Sequence, residues 1–500
     1  MTDWGGQRAP LGRNVLRVGL VLVLAFVVLA GGDGYWQVMQ AQPLSAAPDN
    51  PAIIAAARQV VRGRILDRDG KVLASNAIDA AGQTYRVYAD PSLSGVLGYA
   101  SLLYGTAGLE RAFDAQLTGI RSADPVADML RKFQASPYDP SDLTLSLSLP
   151  LQERATALLG KDRGAVVMLD PSTGHILAMA STPTFDASAI ADPATAKAAW
   201  AALQADPGKP LLDRAVQGLY VPGSVFKIVT ALAALGSGAI APSTTFPQQP
   251  AAETNGLIVS GYKVVDGHHP FTDGEALDFV HAVEVSCNIY FALTGLKLGG
   301  AGLSAEAEQL GFGAPIPFDL PTAASQITNG GGNIGGGFKD DVELANAAYG
   351  QAEVLVTPLQ MALVAAAVAN GGQLMRPELV TGLTDRSGTV HRIDPQSWRD
   401  VVAPDVADTV KAAMEQAVES EWGSYFTPGA KVPGIPTAGK TGTAQLGGSG
   451  EPNSWFIGFA PVDQPKVAIA VVVEHGGGGG ARAAPMAGQL MTYYLKELAQ

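Results

Sequence analysis

The stretch of sequence that most constrains the fold and the chemistry is Tyr220-Val221-Pro222-Gly223-Ser224-Val225-Phe226-Lys227-Ile228-Val229-Thr230-Ala231-Leu232. It opens with a Pro-Gly pair and continues as an apolar run, which predicts a helix whose first turn contains Ser224. At the helical spacing of three, Lys227 lies on the same face as Ser224, where its amine can accept the hydroxyl proton. Free backbone N–H groups at a helix N-terminus also favour negative charge that develops on a bound carbonyl. The stretch therefore predicts a serine nucleophile with a lysine base.

A second S-x-x-K pattern, Ser260 to Lys263, lies in a different context. The surrounding segment, residues 257–265, is interrupted by a glycine and resembles a strand rather than a helix. Residues three apart in a strand point to opposite faces of the sheet, so the serine and the lysine of this copy would not meet. We exclude it as a catalytic pair on that geometry.

Two further triplets accompany the first S-x-x-K pattern. Ser286-Cys287-Asn288 is the only S-x-N in the chain, and Lys440-Thr441-Gly442-Thr443 contains the only K-T-G. Either triplet alone occurs more often by chance, without a catalytic role, than as part of an active site. The order S-x-x-K, S-x-N, K-T-G is the one found in penicillin-interacting serine enzymes, and the three contexts are a helix start, a turn between helices and a strand. The set predicts one active site built from three distant segments.

Composition excludes several other classes of function. The chain has 500 residues, a net charge of −13 and 47% hydrophobic residues, which suits two folded domains and argues against a nucleic-acid-binding protein. The single cysteine, Cys287, excludes an intrachain disulfide. The six histidines lack the spacing that aims two imidazoles at one ion, so no metal site is predicted. The Gly-rich tracts at 329–337 and 476–480 lack the Gly-Lys-Ser/Thr of a phosphate loop, and no cofactor is predicted.

The amino terminus carries a membrane signal. Residues 18–30 form an almost unbroken apolar run that Arg8, Arg13 and Arg17 precede, and neighbouring residues extend it to 15–32. The positive flank predicts a cytoplasmic tail at 1–14 and everything after the anchor outside the cell membrane. A cleaved signal peptide is the alternative, with small residues near Ala30 as the cleavage site. Both interpretations place the folded part outside the cytoplasm.

The rest of the chain divides near residue 140. Residues 33–140 are predicted to form a stalk and a small domain that includes a strand hairpin at 64–74, and residues 141–500 a larger domain. In the larger domain, strand patterns at 164–170 and 176–180 flank a turn, and three more occur at 438–445, 455–460 and 467–474 before a final helix at 486–498. The fold class is therefore α+β, with an antiparallel sheet flanked by helices and a helical lobe.

The ordered motifs resemble those of the class B penicillin-binding proteins, and within them the short branch of the actinobacterial A-type proteins. The resemblance covers nearly the whole chain. Residues 62–70 look like the signature that opens the family's non-catalytic pedestal domain, and 104–119 like its next block. Residues 357–362 and 370–372 look like the helix that follows the loop after the active-site serine. The resemblance implies a penicillin-binding transpeptidase fold on a pedestal with one transmembrane helix, in a peptidoglycan D,D-transpeptidase.

The resemblance also implies a role for each motif residue. Ser224 is the nucleophile that attacks the D-Ala-D-Ala bond of a donor stem peptide, Lys227 is its neutral base, and Ser286 passes a proton to the leaving D-alanine. Asn288 holds Lys227 and the donor amide. Lys440 attracts the substrate carboxylate. The substrate-binding strand is completed by Thr441, Gly442 and Thr443, and the backbone N–H groups of Ser224 and Thr443 form the oxyanion hole.

The implied partners are peptidoglycan stem peptides, β-lactams that acylate the serine, and by analogy a membrane-embedded glycan polymerase of the shape-and-division type. Two alternatives remain open at this point. The same acyl-enzyme in a D,D-carboxypeptidase or a β-lactamase is hydrolysed, and a non-enzymatic β-lactam sensor keeps the serine only for acylation.

Overall fold

A computed structural model describes residues 11–35, 61–79, 82–120, 139–266, 269, 274–332, 334–445 and 450–498. The chain separates into two compact units. One comprises residues 1–60 and 120–138, and its described part is mainly a helix, α1 (Leu11–Gly34). The other comprises residues 61–119 and 139–500 and contains every strand described below.

The strands run in chain order as β1 (Ile65–Leu66), β2 (Val72–Ile78), β3 (Thr84–Tyr88), β4 (Ala100–Ser101), β5 (Gly105–Thr106), β6 (Asp142–Leu145), β7 (Gly164–Leu169), β8 (Ile176–Thr182), β9 (Leu257–Val259), β10 (Tyr262–Val264), β11 (Gln373–Met375), β12 (Val380–Thr384), β13 (Val390–Arg392), β14 (Ser397–Asp400), β15 (Ala438–Ala444), β16 (Asn453–Ala460) and β17 (Val467–Val473). The helices after α1 are α2 (Ser94–Leu97), α3 (Gly108–Ala112), α4 (Asp114–Thr118), α5 (Leu149–Leu159), α6 (Ala187–Ala191), α7 (Ala196–Ala205), α8 (Lys227–Gly236), α9 (Gln249–Asn255), α10 (Phe279–Glu284), α11 (Asn288–Leu298), α12 (Gly300–Gln309), α13 (Asp341–Ala347), α14 (Pro358–Ala369), α15 (Pro404–Glu419), α16 (Glu421–Phe426) and α17 (Ala483–Tyr493).

The core of the larger domain is a five-stranded sheet in the order β15-β16-β17-β7-β8, and all of its neighbouring pairs are antiparallel. The inner strands are buried on both faces because helices cover both sides. Side chains such as Val166 and Met168 pack in one layer with α5 and α17. Their neighbours Val167 and Leu169 pack in the other layer with α14. This arrangement leaves β15, which carries the K-T-G motif, as an edge strand beside the helical lobe.

The predicted α+β class and antiparallel sheet are confirmed. The predicted strand pairs at 164–180 and 438–474 are β7-β8 and β15-β16-β17, and the predicted hairpin at 64–74 is β1-β2. The excluded Ser260–Lys263 copy lies in the hairpin β9-β10, as its strand-like pattern indicates.

The small domain contains a second sheet, which strands from the carboxyl half complete. Its order is β13-β12-β6-β1-β2-β3, with β6 parallel to β1 and antiparallel to β12. The predicted boundary at residue 140 therefore separates strands that share one sheet. Short strands such as β12 and β13 have too few residues to show a clear alternation, so the pairing of β12 with β6 and of β13 with β12 was not visible in the sequence.

Candidate active site

Ser224 lies in a tight 3-10 turn, Gly223–Phe226, that leads directly into α8. The α-helix therefore begins at Lys227, one turn later than the sequence pattern predicts. Gly223 has a φ of +58°, and a Cβ added there would lie 2.6 Å from the carbonyl oxygen of Thr443. Only glycine fits this close approach, which holds the serine turn against the K-T-G strand.

The S-x-N motif forms the turn between α10 and α11. Ser286 adopts a φ of +61°, a conformation that non-glycine residues rarely take. Cys287 then caps α11, with its Sγ accepting the backbone N–H of Tyr290 at 3.3 Å. The turn places the Ser286 side chain toward the K-T-G strand and begins the next helix at Asn288.

Ser286 is the point where the three motifs meet. Its Oγ accepts from Lys440 Nζ at 2.8 Å and lies 3.3 Å from Lys227 Nζ. Lys227 Nζ also donates to the Ser286 carbonyl at 2.6 Å and to Asn288 Oδ1 at 2.7 Å. Asn288 thus holds Lys227, as the family resemblance implies. Both lysine side chains are almost fully buried.

The environment of the two amines shifts their acidity. Burial lowers the pKa of Lys227 to about 8, and the negative charge of Asp266 opposes this effect. Burial and then the positive charge of Lys227 hold the pKa of Lys440 well below its usual range. The lowered pKa makes a small neutral fraction of Lys227 accessible near neutral pH, and the neutral amine is the state that a general base requires.

The described residues give Ser224 Oγ no hydrogen bond to the Lys227 amine. The amine is held instead by the Ser286–Asn288 turn, while the Ser224 hydroxyl faces an open cleft. Catalytic hydrogen bonds of this kind often tighten only when substrate binds.

The K-T-G strand presents its edge to the same cleft. The Thr443 carbonyl accepts from Gln351 Nε2 at 3.5 Å and lies near Gly223, so it points away from the paired strand β16. The N–H and C=O of one strand residue point to the same side, and the Thr443 N–H therefore also faces the cleft. Gly442 packs closely on the backbone of Pro222, where an added Cβ would lie 2.6 Å from the Pro222 oxygen. Gly442 therefore provides the space in which the serine turn fits.

Two cavities open on Ser224. The larger has a volume of about 950 Å³, and its lining includes Asn288 and Asp266. The smaller has a volume of about 310 Å³, and its lining includes Thr441 and Tyr425. Ser224, Ser286, Phe426 and Thr443 line both of them.

A mixed set of side chains beside the S-x-N turn offers metal-ligand atoms. Glu253, Asp266, His269 and Cys287 each place one such atom within 4.8 Å of the others. A thiolate, an imidazole and two carboxylates are donor types that Zn²⁺ accepts. The sequence argument against a metal relied on pairs of histidines and therefore overlooked this set. The expectations of no metal and no cofactor stay predictions.

Sequence reasoning also missed several residues that line the cleft. Tyr425 and Phe426 lie on the short helix α16, and Gly478 to Gly480 belong to the Gly-rich tract at 476–480, whose sequence only excludes a phosphate loop. Asp266, whose charge acts on both lysines, precedes the S-x-N motif by twenty residues and belongs to no motif. Only the glycine tract carried a signal in the sequence, as a conspicuous composition without an assigned role.

Comparison with known proteins identifies the family. Residues 164–492 match the penicillin binding protein transpeptidase domain, and residues 62–137 match the penicillin binding protein A dimerisation domain. The chain is 34% identical to the peptidoglycan D,D-transpeptidase PbpA of Mycolicibacterium smegmatis, over 97% of this chain and 100% of that protein. It is 33% identical to PbpA of Mycobacterium tuberculosis, over 95% of this chain and 97% of that protein.

Solved structures agree with this result. The penicillin G acyl-enzyme complex of penicillin-binding protein A from M. tuberculosis has a TM-score of 0.75 and 31% identity, and covers 88% of this chain and 100% of that one. The ceftriaxone acyl-enzyme complex of the same protein has a TM-score of 0.76 and 29% identity, and covers 89% of this chain and 100% of that one. The family resemblance of the motifs is confirmed, and the chain belongs to the penicillin-binding protein transpeptidase family, in the enzymatic class of the serine D,D-transpeptidases.

Proposed function

We propose that this chain is a peptidoglycan D,D-transpeptidase whose nucleophile is Ser224 and whose general base is Lys227. The observation that carries the proposal is the meeting of three distant motifs at Ser286, which contacts the amines of Lys227 and Lys440. The serine turn packs on the K-T-G strand in the same cleft. Nucleophile, base, proton relay and oxyanion donors are then within reach of one substrate carbonyl.

In the acylation step, neutral Lys227 takes the Ser224 proton while Oγ attacks the carbonyl between the two D-alanines of a donor peptide. The N–H groups of Ser224 and Thr443 stabilise the oxyanion. The C–N bond then breaks, and Ser286 passes a proton to the departing D-alanine amine. The product is an ester between the donor peptide and Ser224. A β-lactam carbonyl that enters the same position forms the corresponding ester.

The terminal carboxylate of the donor binds beside Lys440, with hydroxyl groups from Thr441 and Thr443. Lys440 is buried and its pKa is lowered in the free enzyme. An approaching carboxylate favours its charged form, so the binding of substrate restores the positive charge that the carboxylate needs. Asn288 holds the donor amide on the side of the larger cavity.

We also propose a cellular location and a protein partner for this chain. Residues 15–33 form an apolar helical segment that is long enough to span a membrane. Arg8, Arg13 and Arg17 flank its amino-terminal side, which favours a tail at 1–14 in the cytoplasm and a catalytic domain outside. Residues 33–140 serve as stalk and pedestal, and residues 141–500 as the transpeptidase domain. The partner is a membrane-embedded glycan polymerase, by analogy with the family.

Mass spectrometry of the intact protein after penicillin treatment tests the proposal. We expect one long-lived adduct on a peptide that contains Ser224, and none in Ser224→Ala. Rapid loss of the adduct with steady β-lactam turnover would favour the alternative of a hydrolase, a D,D-carboxypeptidase or a β-lactamase. A stable adduct in a protein that forms no condensed product from a stem-peptide thioester and an amine acceptor would favour the sensor.

A further inference from the structure

The two cavities that meet at Ser224 differ in charge. Among the residues that the structure describes, the lining of the larger cavity has more acidic than basic side chains: the four carboxylates Asp266, Asp340, Glu343 and Glu353 against the two lysines Lys263 and Lys339. The described lining of the smaller cavity contains no charged side chain. Its walls are aromatic, hydroxyl-bearing or formed by glycine backbone, notably Tyr425, Thr441 and Gly478 to Gly480. The two cavities therefore suit ligand groups of different charge.

The motif residues assign the donor peptide to one side. Asn288, which holds the donor amide in the proposed function, lines only the larger cavity, and Thr441, which binds the terminal carboxylate, lines only the smaller one. Ser286, which protonates the leaving amine, lines both. The acylated part of the donor then occupies the larger cavity, and the departing D-alanine leaves through the smaller one.

The acceptor amine must approach along the path by which the first amine left. Its attack on the ester is the reverse of the acylation step with a different amine, so the same proton relay serves both directions. The attacking amine must also be neutral. A carboxylate beside it would favour the ammonium form, which is not nucleophilic. The uncharged smaller cavity meets this requirement, and the acidic larger one does not.

We propose that the smaller cavity is the acceptor site, that it takes a primary amine on an aliphatic stem, and that Tyr425 is its positioning residue. This inference rests on the proposed function. In the step itself, the amine nitrogen forms an amide bond with the acyl carbon and the bond from that carbon to Ser224 Oγ breaks. The proton released by the amine returns to Oγ through Ser286 and Lys227.

Tyr425 is well placed for this role. Its side chain is exposed (76%), and its ring lies 5.3 Å from the ring of Phe426 in an edge-on arrangement. The helix that carries it is held at both ends. Ser420 Oγ accepts the Gly423 N–H at 2.8 Å, and Thr427 Oγ1 donates to the Ala417 carbonyl at 3.0 Å. A fixed backbone thus presents an exposed ring, against which an aliphatic stem can pack.

The test measures how the acyl-enzyme divides between aminolysis and hydrolysis. The probes are a stem-peptide thioester as donor and a short peptide with a side-chain primary amine as acceptor. Tyr425→Ala should lower the ratio of aminolysis to hydrolysis about 2- to 10-fold and raise the acceptor KM, because the ring contact is lost. Tyr425→Phe should keep the wild-type ratio of aminolysis to hydrolysis, because it retains the ring and removes only the hydroxyl group.

Two matched variants separate this role from general damage. Trp422→Ala removes another exposed aromatic ring of the same helix that lines neither cavity, and it should leave the ratio unchanged. Tyr262→Ala removes an exposed tyrosine from the larger cavity, and it should raise the donor KM without changing the ratio.

Gly478→Ala is a second, independent test of the smaller cavity, because its methyl group would project toward Thr443 Oγ1 at 3.7 Å and narrow that cavity. It should lower the ratio as Tyr425→Ala does.

An unchanged ratio in both Tyr425→Ala and Gly478→Ala, or a lowered ratio in Tyr262→Ala, overturns the inference. Penicillin labelling of Ser224 in each variant reports whether its donor site is intact. If the wild-type chain itself forms no adduct at Ser224, the proposed function fails. If the adduct forms normally but the ratio of aminolysis to hydrolysis does not respond to these substitutions, the proposed function stands and the assignment of the smaller cavity as the acceptor site is wrong.

Discussion

Ser286 Oγ lies between two buried amines, and this contact links Lys227, the proposed base, to the K-T-G strand. Lys440 Nζ lies 2.8 Å from this oxygen and Lys227 Nζ lies 3.3 Å from it. A hydroxyl group can donate one proton and accept others, so it can relay a proton between its neighbours without carrying a charge itself. The strained φ of Ser286 is consistent with a position set by function rather than by local stability.

Replacement of the base should remove most of the acylation activity. Lys227→Ala is expected to lower the rate of penicillin acylation about 10²- to 10⁴-fold or more, because it removes the only lysine of the helical segment, Gly223 to Gly236, that carries Ser224. Labelling with a fluorescent penicillin measures this rate, and circular dichroism checks the fold. Lys197→Ala, on an exposed lysine of α7, is the control. Normal labelling of Lys227→Ala would contradict the assignment.

The same residue predicts the pH dependence. Burial lowers the pKa of Lys227 to about 8, and the proposed mechanism uses the neutral amine. The fraction of neutral amine is small below that pH and increases as pH rises through it. The acylation rate constant should therefore rise with pH and level off above about pH 8. Stopped-flow acylation across this range measures the profile, and a rate that falls as pH rises through the same range is incompatible with a neutral lysine base.

At the scale of elements, a buried ion cluster joins the strands of the pedestal to its helices. The Glu110 side chain is fully buried on α3 and accepts from Arg62 Nε at 2.9 Å and from Arg86 Nε at 2.5 Å. Arg62 also contacts Asp114, whose side chain is half exposed. The cluster thus contains one buried carboxylate and one exposed carboxylate that share a guanidinium.

Removal of the buried charge should destabilise the domain far more than removal of the exposed one. Glu110→Gln leaves the buried Arg86 guanidinium without a counter-charge and leaves Arg62 with only the half-exposed Asp114, so it should lower the free energy of unfolding by about 3–5 kcal/mol. Asp114→Asn should cost at most about 1 kcal/mol, because water replaces its contact. Urea unfolding followed by circular dichroism compares the two variants. Equal losses would show that the buried carboxylate has no special role.

Elements with a long regular pattern could be predicted from the sequence. The strands β7, β8 and β17 of the central sheet are largely apolar runs between turn residues, and the structure confirms them. The sequence pattern at 102–117 also predicts a helix, but the helical residues begin only at Gly108 with α3 and continue in α4, because Gly105 and Thr106 form β5. The motif residues of the site were identified because they are ordered and rare. Asp266 and Tyr425 were not, since only tertiary packing brings them to the cleft.

At the scale of the whole molecule, the exposed apolar helix α1 is long enough to span a membrane. Its residues from Val15 to Asp33 are predominantly apolar and unburied in the structure. Leu24→Arg places a charge near the centre of this segment and should weaken insertion by about 2.5–3.5 kcal/mol. Membrane fractionation of the full chain should then show a larger soluble fraction than in the wild type or in Leu24→Ile.

Protease treatment of spheroplasts measures the orientation of the wild-type chain. A catalytic domain outside the membrane should be digested without lysis, whereas one inside should be protected until detergent is added. Protection of the catalytic domain from protease in intact spheroplasts would contradict the proposed topology.

The sheet shared by the two halves of the chain restricts how this protein can be divided. A fragment that stops at residue 140 retains β1, β2 and β3 but loses β6, β12 and β13, and it exposes the edge of β1. Open edges of this kind pair with other chains, so such a fragment should aggregate rather than fold. Exchange of the pedestal between relatives, by recombination or by engineering, would therefore have to carry the 380–392 hairpin with it.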